Sequence, residues 1–377
     1  MYTISVVIFF GLLALAIYKD RKNIEFKYIL FVRRTKKGIK FLDRIAKAEK
    51  FWKIFGTIGV IVAFYLMING FWQLSNYGRG LLTGEIKSPG VSFIFPTPTS
   101  QPSIGPGFIL IPFWFWIIII ISVMFPHEIM HGIMSRVEKI RVKSAGVLLF
   151  AIFPGAFVEP DEKQIKKSGV MAKLRIFAAG SFANFIVSTA VFFLVAGFLW
   201  SYYVPGTVII SEVNSTGVAA AAGLKTGMVI NSINGTAVKA SYSEIMAGSY
   251  LYEELAGLEP GGKIPMTANN TNFTIDLSSF SKNQTVSLGM NSKPLIVNGD
   301  EGFVMGILFQ LLTWMWMLNL AIAVVNILPL YPLDGGLMVQ TVAEKINKKY
   351  SKLVTFGLTF ITLAVFVINF VTPFLLA

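Results

Sequence analysis

Long apolar runs separated by polar segments set the pattern of this chain. A helix crossing a hydrocarbon core of about 30 Å needs roughly 20 apolar residues. Six stretches approach or exceed that length: 3–18, 54–75, 107–131, 174–200, 303–333 and 353–376. The first lacks a basic start and a small-residue cleavage site and is followed by Lys19, Asp20, Arg21 and Lys22, so it reads as a retained span and not a cleaved signal. The segment 76–106, rich in Pro, Ser, Thr and Gly, reads as an irregular loop. Residues 203–292 alternate apolar and polar positions, with turn signals at Asn234-Gly235 and Pro260-Gly261-Gly262, which is the period of strands. The stretch 145–164 is apolar but interrupted by Pro154 and Gly155, which reads either as a short hairpin dipping into the membrane with an edge open to pairing or as ordinary packing under the loop. The expected fold class is a polytopic α-helical membrane protein of about six transmembrane helices with a small, mostly-β domain inserted between the fourth and the fifth.

Composition agrees: 54% of the residues are hydrophobic, 14% are charged and 33 are phenylalanine. The formal charge of +13 changes meaning once it is placed. With the spans in alternation, the segments 19–53, 132–175 and 334–352 carry 26 of the 33 Lys and Arg, and 76–106 and 201–302 carry 7. The positive-inside rule then puts both termini outside, and the charge reads as orientation plus attraction to the lipid bilayer, not nucleic-acid binding. The loop 19–53 reads as a basic helix on the membrane surface in preference to a partner-binding element. Five Asn-x-Ser/Thr sequons, at Asn214, Asn234, Asn269, Asn272 and Asn283, all fall in the large loop assigned to the exterior. Cysteine is absent, which excludes disulfides, thiol nucleophiles and Cys-based metal sites.

Candidate chemistry sits at the end of the third apolar run. His127 and His131 are the only histidines, four residues apart and so on one helix face, with Glu128 beside the first. In this H-E-x-x-H arrangement two imidazoles hold zinc and the glutamate acts as general base toward water. A third protein ligand has to be a carboxylate or another oxygen. Asp334 closes the fifth apolar run, which Pro329, Pro332, Gly335 and Gly336 interrupt. His127 lies nine residues before Arg136, about 13 Å along a helix, and Asp334 eleven before Lys345, about 16 Å, so the two fall in the same leaflet. Glu138, Glu159, Asp161 and Glu162 are the alternative set, suited to a zinc protease of soluble chains. Asn184, about 13 Å beyond Arg175, reaches the same layer. It reads either as a hydrogen bond between helices, amid the small residues Ala178, Ala179, Gly180 and Ala183, or as a catalytic amide that donates to a developing oxyanion.

At these residues the chain resembles the site-2 protease family of intramembrane zinc metalloproteases. The resemblance rests on His127-Glu128-Ile129-Met130-His131, on the N-x-x-P-x-x-x-x-D-G element of Asn326, Pro329, Asp334 and Gly335, and on the G-x-x-x-N element of Gly180 and Asn184. Ser181 stands where the family often has proline. The resemblance implies zinc held by His127, His131 and Asp334, Glu128 as catalytic base, and membrane-protein substrates cut in a transmembrane helix. Residues 205–238, with Ala219-Ala220-Ala221-Ala222-Gly223-Leu224 leading into Gly227 and Ile233-Asn234-Gly235, resemble a PDZ module, and 258–270 resemble its later strand pair.

The implied division is an N-terminal transmembrane hairpin with a basic cytoplasmic loop (1–75), an outer loop (76–106), a catalytic core in two parts (107–200 and 303–340) around an extracytoplasmic PDZ-like domain (203–292), and a C-terminal helix (341–377). The active site faces the cytoplasmic leaflet of the cell membrane. The other reading is a membrane-anchored PDZ scaffold or receptor with a structural or degenerate metal site.

Overall fold

The computed structural model describes residues 2–35, 37–86, 89–100, 102–105, 107–150, 153–238, 261–279, 288–296 and 299–375. They form two compact units, one of Met1–Phe192 with Leu311–Ala377 and one of Phe193–Gln310.

In the first unit come α1 (Tyr2–Lys19), the strands β1 (Ile24–Lys27) and β2 (Leu30–Thr35), α2 (Lys37–Ile45) and the long α3 (Glu49–Leu82). Three short strands follow, β3 (Phe93–Thr97), β4 (Ser103–Gly105) and β5 (Phe108–Pro112), then α4 (Phe113–Val137). The hairpin β6 (Val142–Phe150) and β7 (Phe153–Pro160), the short helix α5 (Glu162–Lys167) and α6 (Val170–Tyr202) complete its first part. After the second unit the chain returns in α8 (Gly299–Ile327), α9 (Asp334–Ile346) and α10 (Ser351–Leu375). Six of these helices, α1, α3, α4, α6, α8 and α10, are long and apolar enough to cross a membrane, and the protein is a multi-pass membrane protein.

Two patches of side chains lock the centre of this unit. Leu42 of α2, Ile133, Met134 and Val137 of α4, and Ile176 and Ala179 of α6 make one. Val60, Ala63 and Met67 of α3, Leu174 and Ala178 of α6, Ile327 of α8 and Met338 of α9 make the other. Glycine allows the close approaches: a Cβ on Gly59 would sit 2.7 Å from the Phe182 ring, and one on Gly132 2.7 Å from Leu42. At the polar end, Arg175 donates to Glu138 at 2.9 Å and to Thr57 Oγ1 at 3.0 Å, which ties α6, α4 and α3 together. Arg136 pairs with Asp43 and Lys139 with Glu49.

Several sequence expectations are corrected. The segment 19–53 is not a surface helix alone: β1 and β2 extend the β6–β7 hairpin into a sheet of order β1-β2-β6-β7, with Leu30 opposite Phe150 and Thr35 opposite Ala145. The β6 backbone edge offers hydrogen bonds that lipid cannot. The stretch 76–106 is not an irregular loop. Contacts with α10 carry α3 on to Leu82, where Asn369 Nδ2 donates to the Leu74 carbonyl at 2.9 Å, and β3 and β4 then flank β5. The third apolar run does not start its helix at 107: residues 108–112 are strand, and Pro112, which lacks an N–H, stands immediately before the first helical residue. The fifth run ends its helix at Ile327, two residues before Pro329. The hairpin expected near Pro154 is present as β6–β7, with Gly146 opposite Phe157. Its end strand is β7.

The second unit holds a six-stranded sheet built from β8 (Tyr203–Val213), β9 (Val229–Ile233), β10 (Thr236–Ala237), β11 (Lys263–Ala268), β12 (Thr271–Asp276) and β13 (Met290–Ile296), with the one-turn helix α7 (Val218–Ala221) after β8. The main order is β12-β11-β9-β8-β13, antiparallel throughout, and β10 pairs with β9. Strand alternation buries Ile233, Met266 and Ile275 on one face, and the register shift between Thr267 and Ala268 brings Ile230, opposite Ala268, to the same face. The positive φ of Asn234 and Gly235 (49° and 80°) is the backbone that their Asn-Gly pair predicts for a tight turn. Asn283 and residues 258–260 lie outside the described residues.

Candidate active site

Three elements bring the chemistry together. α4 carries His127 and His131, one turn apart along one side, with Glu128 next to the first. α6 crosses beside them and presents Gly180 and Asn184. The break between α8 and α9 delivers Asp334 as the first residue of α9. Leu328–Leu333 fold back on that turn so tightly that a Cβ on Gly335 would overlap the Ile327 carbonyl, and one on Gly336 the backbone of Leu330 and Tyr331. Both glycines are therefore required by space, and they fix where Asp334 points.

His127 Nε2 and His131 Nε2 lie 3.2 Å apart, and Asp334 Oδ2 lies 3.4 Å from the first and 3.3 Å from the second. Tetrahedral ligands at 2.0–2.1 Å from zinc stand about 3.3–3.4 Å from one another. The three atoms thus form one face of such a tetrahedron. Asp334 Oδ2 is buried and has no hydrogen-bond partner, and a buried carboxylate oxygen left so is costly unless a cation meets it. Gly180 leaves room on the remaining side: a Cβ there would come within 2.6 Å of His127 Nε2 and closer still to His131 Nε2. Donor type, spacing and space all fit a divalent cation of zinc's size.

The surrounding groups orient these donors. His131 Nδ1 lies 2.7 Å from the Ile176 carbonyl, an acceptor only, so Nδ1 carries the proton and Nε2 keeps its lone pair for the site. Asn184, fully buried, sets Nδ2 3.3 Å from His127 Nδ1. Glu128 Oε2 accepts the Val158 N–H of β7 at 3.1 Å. The alternative carboxylates are engaged elsewhere. Glu138 pairs with Arg175, Glu159 accepts from Ser144 Oγ at 2.6 Å, Asp161 caps α5 by accepting from Lys163 and Gln164 N–H, and Glu162 lies 3.8 Å from Lys166. The Gln164 N–H holds the Asp161 carboxyl below its usual range. Sequence reasoning missed the Ile176 carbonyl, the Val158 N–H and the spatial need for Gly180. Only the last had a signal, its place four residues before Asn184.

Apolar crossing helices around two imidazoles, a carboxylate and an adjacent glutamate define a membrane-embedded metallopeptidase. Residues 114–368, well over half the chain, match peptidase family M50, and the protein belongs to that family. This bears out the resemblance to the site-2 protease family that the motifs carried. An uncharacterized protein of the archaeon Methanocaldococcus jannaschii is 28% identical over 328 residues, a likeness that covers 85% of this chain and 80% of that relative.

Proposed function

We propose that this protein is an intramembrane zinc metalloprotease that hydrolyses peptide bonds within or near transmembrane segments of membrane-protein substrates. The observation that carries the reading is the triangle of His127 Nε2, His131 Nε2 and Asp334 Oδ2, with sides of 3.2–3.4 Å, built on apolar helices with Glu128 next to it. His127, His131 and Asp334 would hold the ion. Zinc bound there supplies Lewis acidity, polarising a carbonyl and making water more acidic. Glu128 takes the proton of the attacking water and returns it to the leaving amine. The Val158 N–H steadies one of its carboxylate oxygens and leaves the other for that transfer. A site with a positioned base of this kind has no use in a scaffold, so the scaffold reading is not favoured.

A substrate would approach through the apolar space beside α4. An apolar cavity of about 340 Å³ is lined by Phe9 and Leu13 of α1, Ile121 and Met124 of α4, and Val147 and Gly155 of the hairpin. Met124 lies four residues before Glu128 and so on the same helix face. A helix's own backbone hydrogen bonds shield its carbonyls, so the substrate is expected to unwind locally before cleavage. β7 is an end strand, and an extended substrate would add to it by backbone hydrogen bonds.

The charge asymmetry supports an active site in the cytoplasmic leaflet with the β-rich unit outside. That unit we read as a PDZ-like domain that limits access by size or binds extended segments. The test is cleavage of a model single-span protein by the purified enzyme in liposomes, with zinc measured in each variant. Glu128→Gln is expected to abolish cleavage and keep zinc, and Asp334→Ala to lose both. A wild type that holds zinc yet cuts no membrane-embedded substrate would move the scaffold reading ahead.

A further inference from the structure

We infer that Asn184 is a positioning residue for the metal centre: its side-chain oxygen accepts the Nδ1–H of His127 and so selects the tautomer that offers Nε2 to the ion. The inference rests on the proposed metallopeptidase reading and deepens it. A neutral imidazole carries one N–H, and only its other nitrogen can bind a metal. For His131 the choice is settled by the backbone, because the Ile176 carbonyl at 2.7 Å can only accept from Nδ1. For His127 the choice falls to Asn184.

An amide offers a donor at one end and an acceptor at the other. In the structure Asn184 Nδ2 is the end 3.3 Å from His127 Nδ1, and Asn184 Oδ1 is buried with no partner. The two ends of an amide have nearly the same shape, so this pocket takes either end toward Nδ1. Turning the amide half a revolution about its last torsion brings Oδ1 to Nδ1. That turn pairs the buried oxygen with the Nδ1–H and leaves the Nε2 lone pair facing the space beside Asp334 Oδ2, 3.4 Å away. A ligand histidine nearly always has such a partner behind it. The role differs from donation to an oxyanion, because it needs the oxygen of Asn184 and not its NH₂.

Two substitutions separate these possibilities. Asn184→Asp keeps the shape and offers an acceptor from either oxygen, and Asn184→Leu offers none. Zinc affinity is measured by chelator competition on the purified full-length protein in detergent. Asn184→Leu is expected to bind zinc about 10–100-fold more weakly than the wild type, and Asn184→Asp within about threefold of it or more tightly. Because the chain has only two histidines, ¹⁵N spectra of the imidazoles give a second readout that does not depend on the leucine variant folding. With zinc bound, His127 and His131 are both expected to carry their proton on Nδ1. Wild-type affinity in Asn184→Leu, a loss in Asn184→Asp as deep as in the leucine variant, or a His127 that keeps its Nε2 proton with zinc present would each overturn the inference. A wild type with no affinity for zinc would instead remove the metallopeptidase reading on which it stands.

Discussion

Replacing Gly180 with alanine separates the metal site from the fold. The added methyl would sit 2.6 Å from His127 Nε2 and closer to His131 Nε2. Ordinary contact needs about 3.4 Å or more, so the His127 ring has to retreat by about 0.8 Å, whereas a zinc site tolerates about 0.2 Å in its ligand distances. The atoms struck are the far ends of two side chains, so the rings can swing aside without moving backbone. The helix even gains, since alanine is better than glycine in a helix interior by about 1 kcal/mol. Stability and zinc affinity should therefore move in opposite directions. The melting temperature of the metal-free protein is expected to hold or rise, and zinc affinity to fall about 100-fold or more, the equivalent of about 2.7 kcal/mol. Thermal melts in detergent and chelator competition give the two numbers. Wild-type zinc affinity in Gly180→Ala would refute the claim that Gly180 makes the space for the ion.

Two further outcomes test neighbouring contacts. Val158→Pro removes the N–H that Glu128 accepts but leaves an end strand that tolerates proline. It is expected to lower kcat/KM about 10–100-fold, the worth of a hydrogen bond to a charged group, while Val158→Ala keeps the N–H and stays near wild type. Equal losses in the two would remove the role of that bond. Glu138→Leu strands the largely buried Arg175, whose side chain is 20% exposed, and is expected to cost roughly 3 kcal/mol in denaturant melts. Adding Arg175→Met should recover most of that loss, and a double variant as unstable as the single one would show that the ion pair is not what is being broken.

The sequence revealed the chemistry of the site more fully than its surroundings, for physical reasons. Residue type and spacing along one helix made His127, Glu128 and His131 visible, and depth counted from flanking basic residues was enough to single out Asp334. Backbone groups carry no letter of their own, so the Ile176 carbonyl and the Val158 N–H could not be read before the chain was folded. Apolar length found the six helices but mistook 108–112 for helix, because a short apolar run has no period that separates strand from buried helix. The strands β1 and β2 were hidden by their charge: Arg33 and Arg34 suited a basic helix on the membrane surface, yet Arg33 pairs with Asp20 and Arg34 with Glu25 at the margin of the sheet. Asn184 was expected in the layer of the histidines, and the fold sets it beside His127, but which partner it meets depends on the angle at which α6 crosses α4.

Asp334 is roughly two hundred residues after His131, and a complete β-rich unit lies between them. At ordinary rates of synthesis the ribosome takes about 10–40 s to cover that distance. During that interval the two histidines and Glu128 are already made while the third donor does not yet exist. A nascent chain threading into a membrane crowded with other unfolded segments is thus unarmed until α9 emerges. The split donor set works as a timer set by chain length, postponing activity until the rest of the molecule has been made.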